Sequence, residues 1–195
     1  MTFISGKYYR NSLRLKDYDY SQNGMYFVTI CTYQMQCLFG RIKNGEMYLN
    51  KFGKIAYDEL QKTPKIRTNV KLGDFIIMPN HIHVIIRIVG AYCNTPLRDV
   101  PTPIITQFSP MFQSPKNNLG SIVRGYKSTV TKKINETQIY EKTEHFDRRK
   151  IFQRNYYEHI VQDKFDLERI QEYIKSNPTN WENDRNNFKQ SKRAG

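Results

Sequence analysis

Apolar positions fall into blocks of two periods, one suited to strands and one to helices. Met25 to Tyr33 (MYFVTICTY) is rich in β-branched and aromatic residues and predicts a strand, whose fully apolar stretches place it centrally in a sheet. Cys37 to Lys43 and Glu46 to Asn50 predict two more strands, closed by the Asn44-Gly45 hairpin signal. From Asn50, residues Phe52, Ile55, Ala56 and Leu60 recur at helical spacing, with Tyr57 nearby, and Pro64 is expected to end the helix. Asn69 to Met78 and His81 to Val89 form a second hairpin across Pro79-Asn80, expected in the middle of the sheet. Ser121 to Glu136 returns to helix, with Ile122, Val123, Tyr126, Val130 and Ile134 on one side. A last helix runs from Lys164 to Ser176, with Asp163 as N-cap, Leu167, Ile170 and Ile174 as its stripe, and Pro178 as breaker. This order predicts an α+β fold, a compact antiparallel sheet with helices packed on one face.

The remaining segments lack a period. Met1 to Gly24 reads as a basic, aromatic arm. Gly90 to Leu119 carries five prolines and reads as a mobile inserted loop. Thr137 to Asp147 reads as a further loop. Beyond Trp181 the chain turns polar, so residues 182–195 are expected to be a frayed tail. At 195 residues the chain suits one core, hence a single domain over 1–181 with an insertion at about 90–119.

Charge changes the picture. Thirty-one Lys and Arg against eighteen Asp and Glu give a net charge of +13. Such a balance points to a polyanion, with nucleic acid ahead of a membrane surface. Clusters such as Lys7-Tyr8-Tyr9-Arg10 and Arg154-Asn155-Tyr156-Tyr157 interleave cations with aromatic rings, which suits stacking on unpaired bases. Arg124, Lys127, Lys132 and Lys133 on the predicted helix, with Arg148, Arg149 and Arg154, are the candidate DNA-backbone contacts. An ordinary solvated face is the alternative for any one cluster. The three cysteines, Cys31, Cys37 and Cys93, form no CxxC pair and read as reduced residues. With no signal-like or membrane-spanning run, a cytoplasmic protein is expected.

Candidate chemistry begins at Met78-Pro79-Asn80-His81-Ile82-His83. In a strand, His81 and His83 share a face while Ile82 takes the other. Two imidazoles suit a transition metal and leave positions open for water or a substrate oxygen, although a surface or core pair is the commoner meaning of such spacing. On the last helix Tyr173 and Asn177 lie four apart, an amide oxygen able to ligate and a phenol able to attack a phosphodiester. Tyr156 and Tyr157 are rivals for the phenol, and Tyr173 also fits a core-edge position.

Several stretches together resemble the REP-associated tyrosine transposases, within the single-tyrosine HUH transposases of bacterial insertion sequences. The resemblance rests on residues 13–29 (LRLKDYDYSQNGMYFVT), Asn50 to Ile55, Met78 to His83, Ile122 to Ser128, Phe152 to Ile160 and Tyr173 to Pro178, in order over about residues 13–181. It implies a ferredoxin-like sheet with the histidines on a central strand. It implies His81, His83 and Asn177 as ligands of Mg or Mn, Tyr173 as nucleophile, and His159 near the site in phosphate contact or positioning. It also implies nicking and strand transfer of hairpin-bearing single-stranded DNA through a 5′-phosphotyrosine, at a REP-like palindrome or insertion-element end, by a monomer or homodimer. An inactive DNA-binding or regulatory protein derived from such a transposase is the alternative. A two-histidine phosphoesterase fits less well, since neither histidine begins a His-x-Ser/Thr unit.

Overall fold

The computed structural model describes residues 19–89, 118–141 and 150–187. Most of the expected arm, nearly all of the Pro-rich insertion, Arg148 and Arg149, and residues 188–195 lie outside the described residues.

The chain runs β1 (Gly24–Cys31), β2 (Gly40–Lys43), β3 (Glu46–Leu49), α1 (Lys51–Ile66), β4 (Val70–Ile77), β5 (His81–Ile88), α2 (Leu119–Glu141), β6 (Tyr157–Ile160) and α3 (Lys164–Ser176). Four strands form one antiparallel sheet in the order β4-β5-β1-β6, the ferredoxin-like arrangement. β2 and β3 form a separate hairpin whose turn residues Asn44 and Gly45 both have positive φ, as Asn-Gly allows. β1 is central as expected; of the second hairpin only β5 is central, and β4 forms an edge.

Alternation along β5 divides the core. Ile82, Val84, Ile86 and Ile88 pack with Tyr26, Val28 and Ile30 against α1 and α2. Ile85, with Phe27 and Ile76, packs against Ile170 and Ile174 of α3. The expectation of helices on one face therefore holds for α1 and α2 only. α3 takes the opposite face because its Leu167, Ile170 and Ile174 stripe covers the odd-numbered side of β5, which carries His81 and His83.

Other boundaries move for local reasons. α1 continues through Pro64 to Ile66, since a proline in the last turn forfeits only one amide bond, and Arg67 N–H still reaches Thr63 O. α2 starts at Leu119 and extends to Glu141, into the stretch expected to be loop. β6 has no counterpart in the predicted order, because its four residues are half-exposed at the sheet edge and give a weak apolar signal. Residues 182–187, read from composition as part of a polar tail, fold back after the 3₁₀ turn Trp181–Asn183. Asn186 O accepts a hydrogen bond from Asn80 at 2.7 Å, which anchors this segment beside the start of β5.

Candidate active site

β5 begins directly after the two-residue turn Pro79-Asn80, closed by Met78 N–H to His81 O. The strand period then sends His81 and His83 to the same face, where both are fully buried. Their Nε2 atoms stand 3.0 Å apart. His83 lies opposite Thr29 in the β1–β5 register, and the Thr29 hydroxyl meets its Nδ1 at 2.9 Å. Asn80 Oδ1 meets His81 Nδ1 at 2.8 Å. Phe27 stacks on His83, and Trp181 lies beside His81 with ring centroids 6.0 Å apart.

α3 brings the second half of the site. Asp163 caps it by accepting from Asp166 N–H, as the sequence predicts. Tyr173 Oη reaches 3.3 Å from His83 Nε2, and its ring meets those of His83 and Phe27 edge-on. One turn later Asn177, at the helix C-cap, faces both His81 and Tyr173. From the folded-back segment Asp184 places Oδ2 3.8 Å from His81 Nε2, with its side chain buried.

The electrostatics follow from burial. Desolvation lowers the His81 pKa to about 4, although the Asp184 carboxylate opposes that shift. His83 is held well below the usual imidazole range, by burial first and then by proximity to His81. Both rings are thus neutral at physiological pH and present nitrogen lone pairs. The Tyr173 phenol is raised above its ordinary value by burial and by Asp184, so it is protonated near neutral pH.

His81, His83 and Asp184 form a buried group able to hold a metal ion, with ligand atoms all within 4.8 Å of one another. Two observations fit a divalent cation there. Asn177 Oδ1 and Asp184 Oδ2 are buried acceptors with no hydrogen-bond donor, a costly state that a cation would relieve. Two imidazole nitrogens with one amide and one carboxylate oxygen also make a mixed N/O donor set suited to a hard or borderline ion. Beside this group opens a cleft of about 660 Å³, lined among others by Phe27, Tyr173, Asn177, Asn180, Arg169 and Arg185.

Of the residues singled out in the sequence, the fold brings His81, His83, Tyr173 and Asn177 together, and puts His159 on the wall of the same cleft. His159 Nε2 meets Asp166 Oδ2 at 2.7 Å, away from the histidine pair. Of the rival tyrosines, Tyr156 packs against the core under α1 and α2, and Tyr157 is half-exposed on the edge strand. The cations singled out on α2 are on the helix that covers the other face of the sheet. There Lys127 donates to the Gln153 and Asn155 carbonyls and Lys133 to Glu59, leaving Arg124 and Lys132 exposed, with Arg154 exposed nearby. Asp184, Asn80, Thr29 and Arg185 were missed. Thr29 has a legible signal, since it alternates onto the histidine face once β1 is paired with β5. Asp184 has none, because Trp181 to Asn187 shows no period.

No protein-family profile matches the chain. It is 39% identical over 185 residues to a Haemophilus influenzae (strain Rd) protein described as uncharacterized, covering 93% of this chain and 95% of that one. Its fold is similar to that of a REP-associated tyrosine transposase solved bound to a REP hairpin, with TM-score 0.54 and 14% identity over 86% of this chain and 73% of the other. Among the described residues no helix is long and apolar enough to cross a membrane.

Proposed function

Because the chain belongs to the same family as the Haemophilus influenzae protein and has a transposase-like fold around a buried histidine pair, we propose that it nicks and rejoins single-stranded DNA as a single-tyrosine HUH transposase. The observation that carries this reading is convergence: Tyr173 Oη stands 3.3 Å from a histidine whose Nε2 lies 3.0 Å from that of its neighbour, beside two unsatisfied buried oxygens.

His81 and His83 would hold a divalent cation, Mg or Mn, with Asn177 and Asp184 supplying oxygens. When bound, the cation supplies charge neutralisation at a phosphate. The protein does the rest. Phe27 and His83 hold the Tyr173 ring edge-on at the cleft wall, with its hydroxyl toward the histidine pair where the scissile phosphate would sit. The phenolic oxygen bonds to phosphorus, its proton passes to water in the open cleft, and the phosphorus–O3′ bond breaks. The departing oxygen takes a proton from water, leaving a 5′-phosphotyrosine and a free 3′-hydroxyl. One phosphodiester replaces another, so the reversal that joins a new end requires no nucleotide cofactor. Arg169 and Arg185 on the cleft wall would hold flanking phosphates. Arg124, Lys132 and Arg154, on a different part of the surface, would meet more distant stretches of the DNA, such as a hairpin stem of the kind bound by the structural relative.

The test is adduct formation. A hairpin-bearing single strand incubated with the protein and Mn2+ should give a species of retarded mobility that survives denaturation. Tyr173→Phe should lose that species and keep DNA binding. Adduct formation by Tyr173→Phe would transfer the role to another tyrosine. Binding without cleavage across a broad hairpin panel would favour an inactive regulatory protein of the same descent.

A further inference from the structure

A neutral imidazole exists as two tautomers, and only one of them leaves the Nε2 of His81 free to accept a cation. The fold contains a device that makes the choice. Asn80, completely buried in the turn before β5, donates through Nδ2 to Met35 O at 3.2 Å and to Asn186 O at 2.7 Å. Two carbonyl acceptors fix which end of the amide is nitrogen. The oxygen end must then face His81, and it does so 2.8 Å from Nδ1. An amide oxygen can only accept, so Nδ1 carries the hydrogen and Nε2 carries the lone pair.

The backbone of Asn80 is clamped as well. Its carbonyl accepts from Thr32 N–H and from the Thr32 hydroxyl, each at 2.9 Å. Its side chain therefore has little freedom to reorient. His83 is treated differently, since its Nδ1 meets the Thr29 hydroxyl, which either donates or accepts. Without a cation, His83 Nε2–H can donate to His81 Nε2 across 3.0 Å; with one, His83 can shift its hydrogen to Nδ1.

We propose that Asn80 is a positioning residue: it locks His81 in the Nδ1–H tautomer, so that this nitrogen ligand is ready before a cation arrives, while Thr29 lets His83 adapt. The consequence for cation binding rests on the reading of His81 as a ligand, but the tautomer itself does not. Asn80 also links the site to the chain beyond α3, because one of the two carbonyls that orient its amide belongs to Asn186. The same segment carries Asp184, so one stretch of chain both lines the site and supplies a carbonyl that orients the amide behind His81.

The experiment is long-range proton–nitrogen correlation on the full-length, 15N-labelled, cation-free protein, with the His81 signals identified by their loss in His81→Gln. Wild type should show a protonated Nδ1 and an unprotonated Nε2 at His81. Asn80→Leu should lose that pattern, and its dissociation constant for Mn2+, followed by electron paramagnetic resonance, should rise by about 10–100-fold. A wild-type His81 protonated at Nε2 overturns the proposal and needs no variant to be folded. A tautomer unchanged in folded Asn80→Leu overturns it too. A locked Nδ1–H tautomer in a protein that binds no Mn2+ upholds the role of Asn80 and removes the metal-site reading instead.

Discussion

Thr29 on β1 lies directly across the ladder from His83 on β5, and its hydroxyl is 2.9 Å from the ring's Nδ1. Both residues are buried, so the hydroxyl is the one polar partner that the register offers this nitrogen. Thr29→Val keeps the shape and removes the partner, leaving a buried imidazole nitrogen unsatisfied. A loss of about 1–3 kcal/mol in urea unfolding is expected. Mn2+ affinity should fall by about 10–100-fold, since a ligand's outer hydrogen bond fixes its orientation. Unchanged stability together with unchanged affinity would mean that the Thr29 contact does neither job.

Burial of neutral histidines has a pH signature. His81 has a folded pKa of about 4 against an ordinary value of 6.5, and His83 is shifted in the same direction. Between those two values the unfolded chain binds protons that the folded chain does not. Stability is therefore full above about pH 6.5 and declines as pH falls toward 4. The same shift makes protons poor competitors for the site. Mn2+ affinity should hold nearly constant from pH 7 to pH 5, whereas ordinary imidazoles would lose about tenfold or more per site over that range. A steep loss of binding beginning near pH 6.5 would contradict neutral, desolvated histidines.

Asn177 and Asp184 offer the oxygens, and neither has a donor for its buried atom. Asn177→Ala and Asp184→Ala should each weaken Mn2+ binding, Asp184→Ala more so because it removes a formal charge. In the cation-free protein Asn177→Ala should cost little stability or even raise it, since an unpaired buried polar atom is removed, whereas Asp184→Ala also loses the acceptor for Asn186 N–H at 2.7 Å and should cost about 1 kcal/mol. Paired measurements of thermal unfolding with and without Mn2+ check both statements. Equal destabilisation in the two conditions would make these residues structural.

How much of this was legible depended on whether a feature is local. The hairpin at Asn44-Gly45, the α3 boundaries and the shared face of His81 and His83 follow from turn chemistry, capping and strand period, all readable within a few residues. Tyr173 and Asn177 were legible as a pair because helical spacing puts them on one face. That α3 lies on the histidine face was not legible, because the choice of sheet face depends on which side of β5 the α1–α2 pair already fills. β6 escaped notice because an edge strand of four half-exposed residues carries little apolar pattern. Asp184 escaped because its burial depends on Asn186 meeting Asn80 across 106 positions of sequence, a contact that no local rule encodes.

The first turn of α3 holds the helix that carries Tyr173. Asp166 Oδ2 accepts from His159 on β6 and from Gln162 N–H, while Oδ1 accepts from Arg169 at 2.6 Å. Arg169 and then His159 hold the Asp166 carboxyl down at about 2, below its ordinary 3.8. A carboxylate with a depressed folded pKa contributes stability above the unfolded value and loses it as pH falls through the folded one. Asp166→Asn should therefore be less stable than wild type at pH 7, by about 0.5–1 kcal/mol for such partly exposed pairs. The gap should persist down to about pH 4 and close between 4 and 2. Because Tyr173 lies two turns further along the same helix, the variant should also form the DNA adduct more slowly at pH 7 once bound to DNA. A stability gap that stays constant across the acid range would show that the Asp166 charge does not tie β6 to α3.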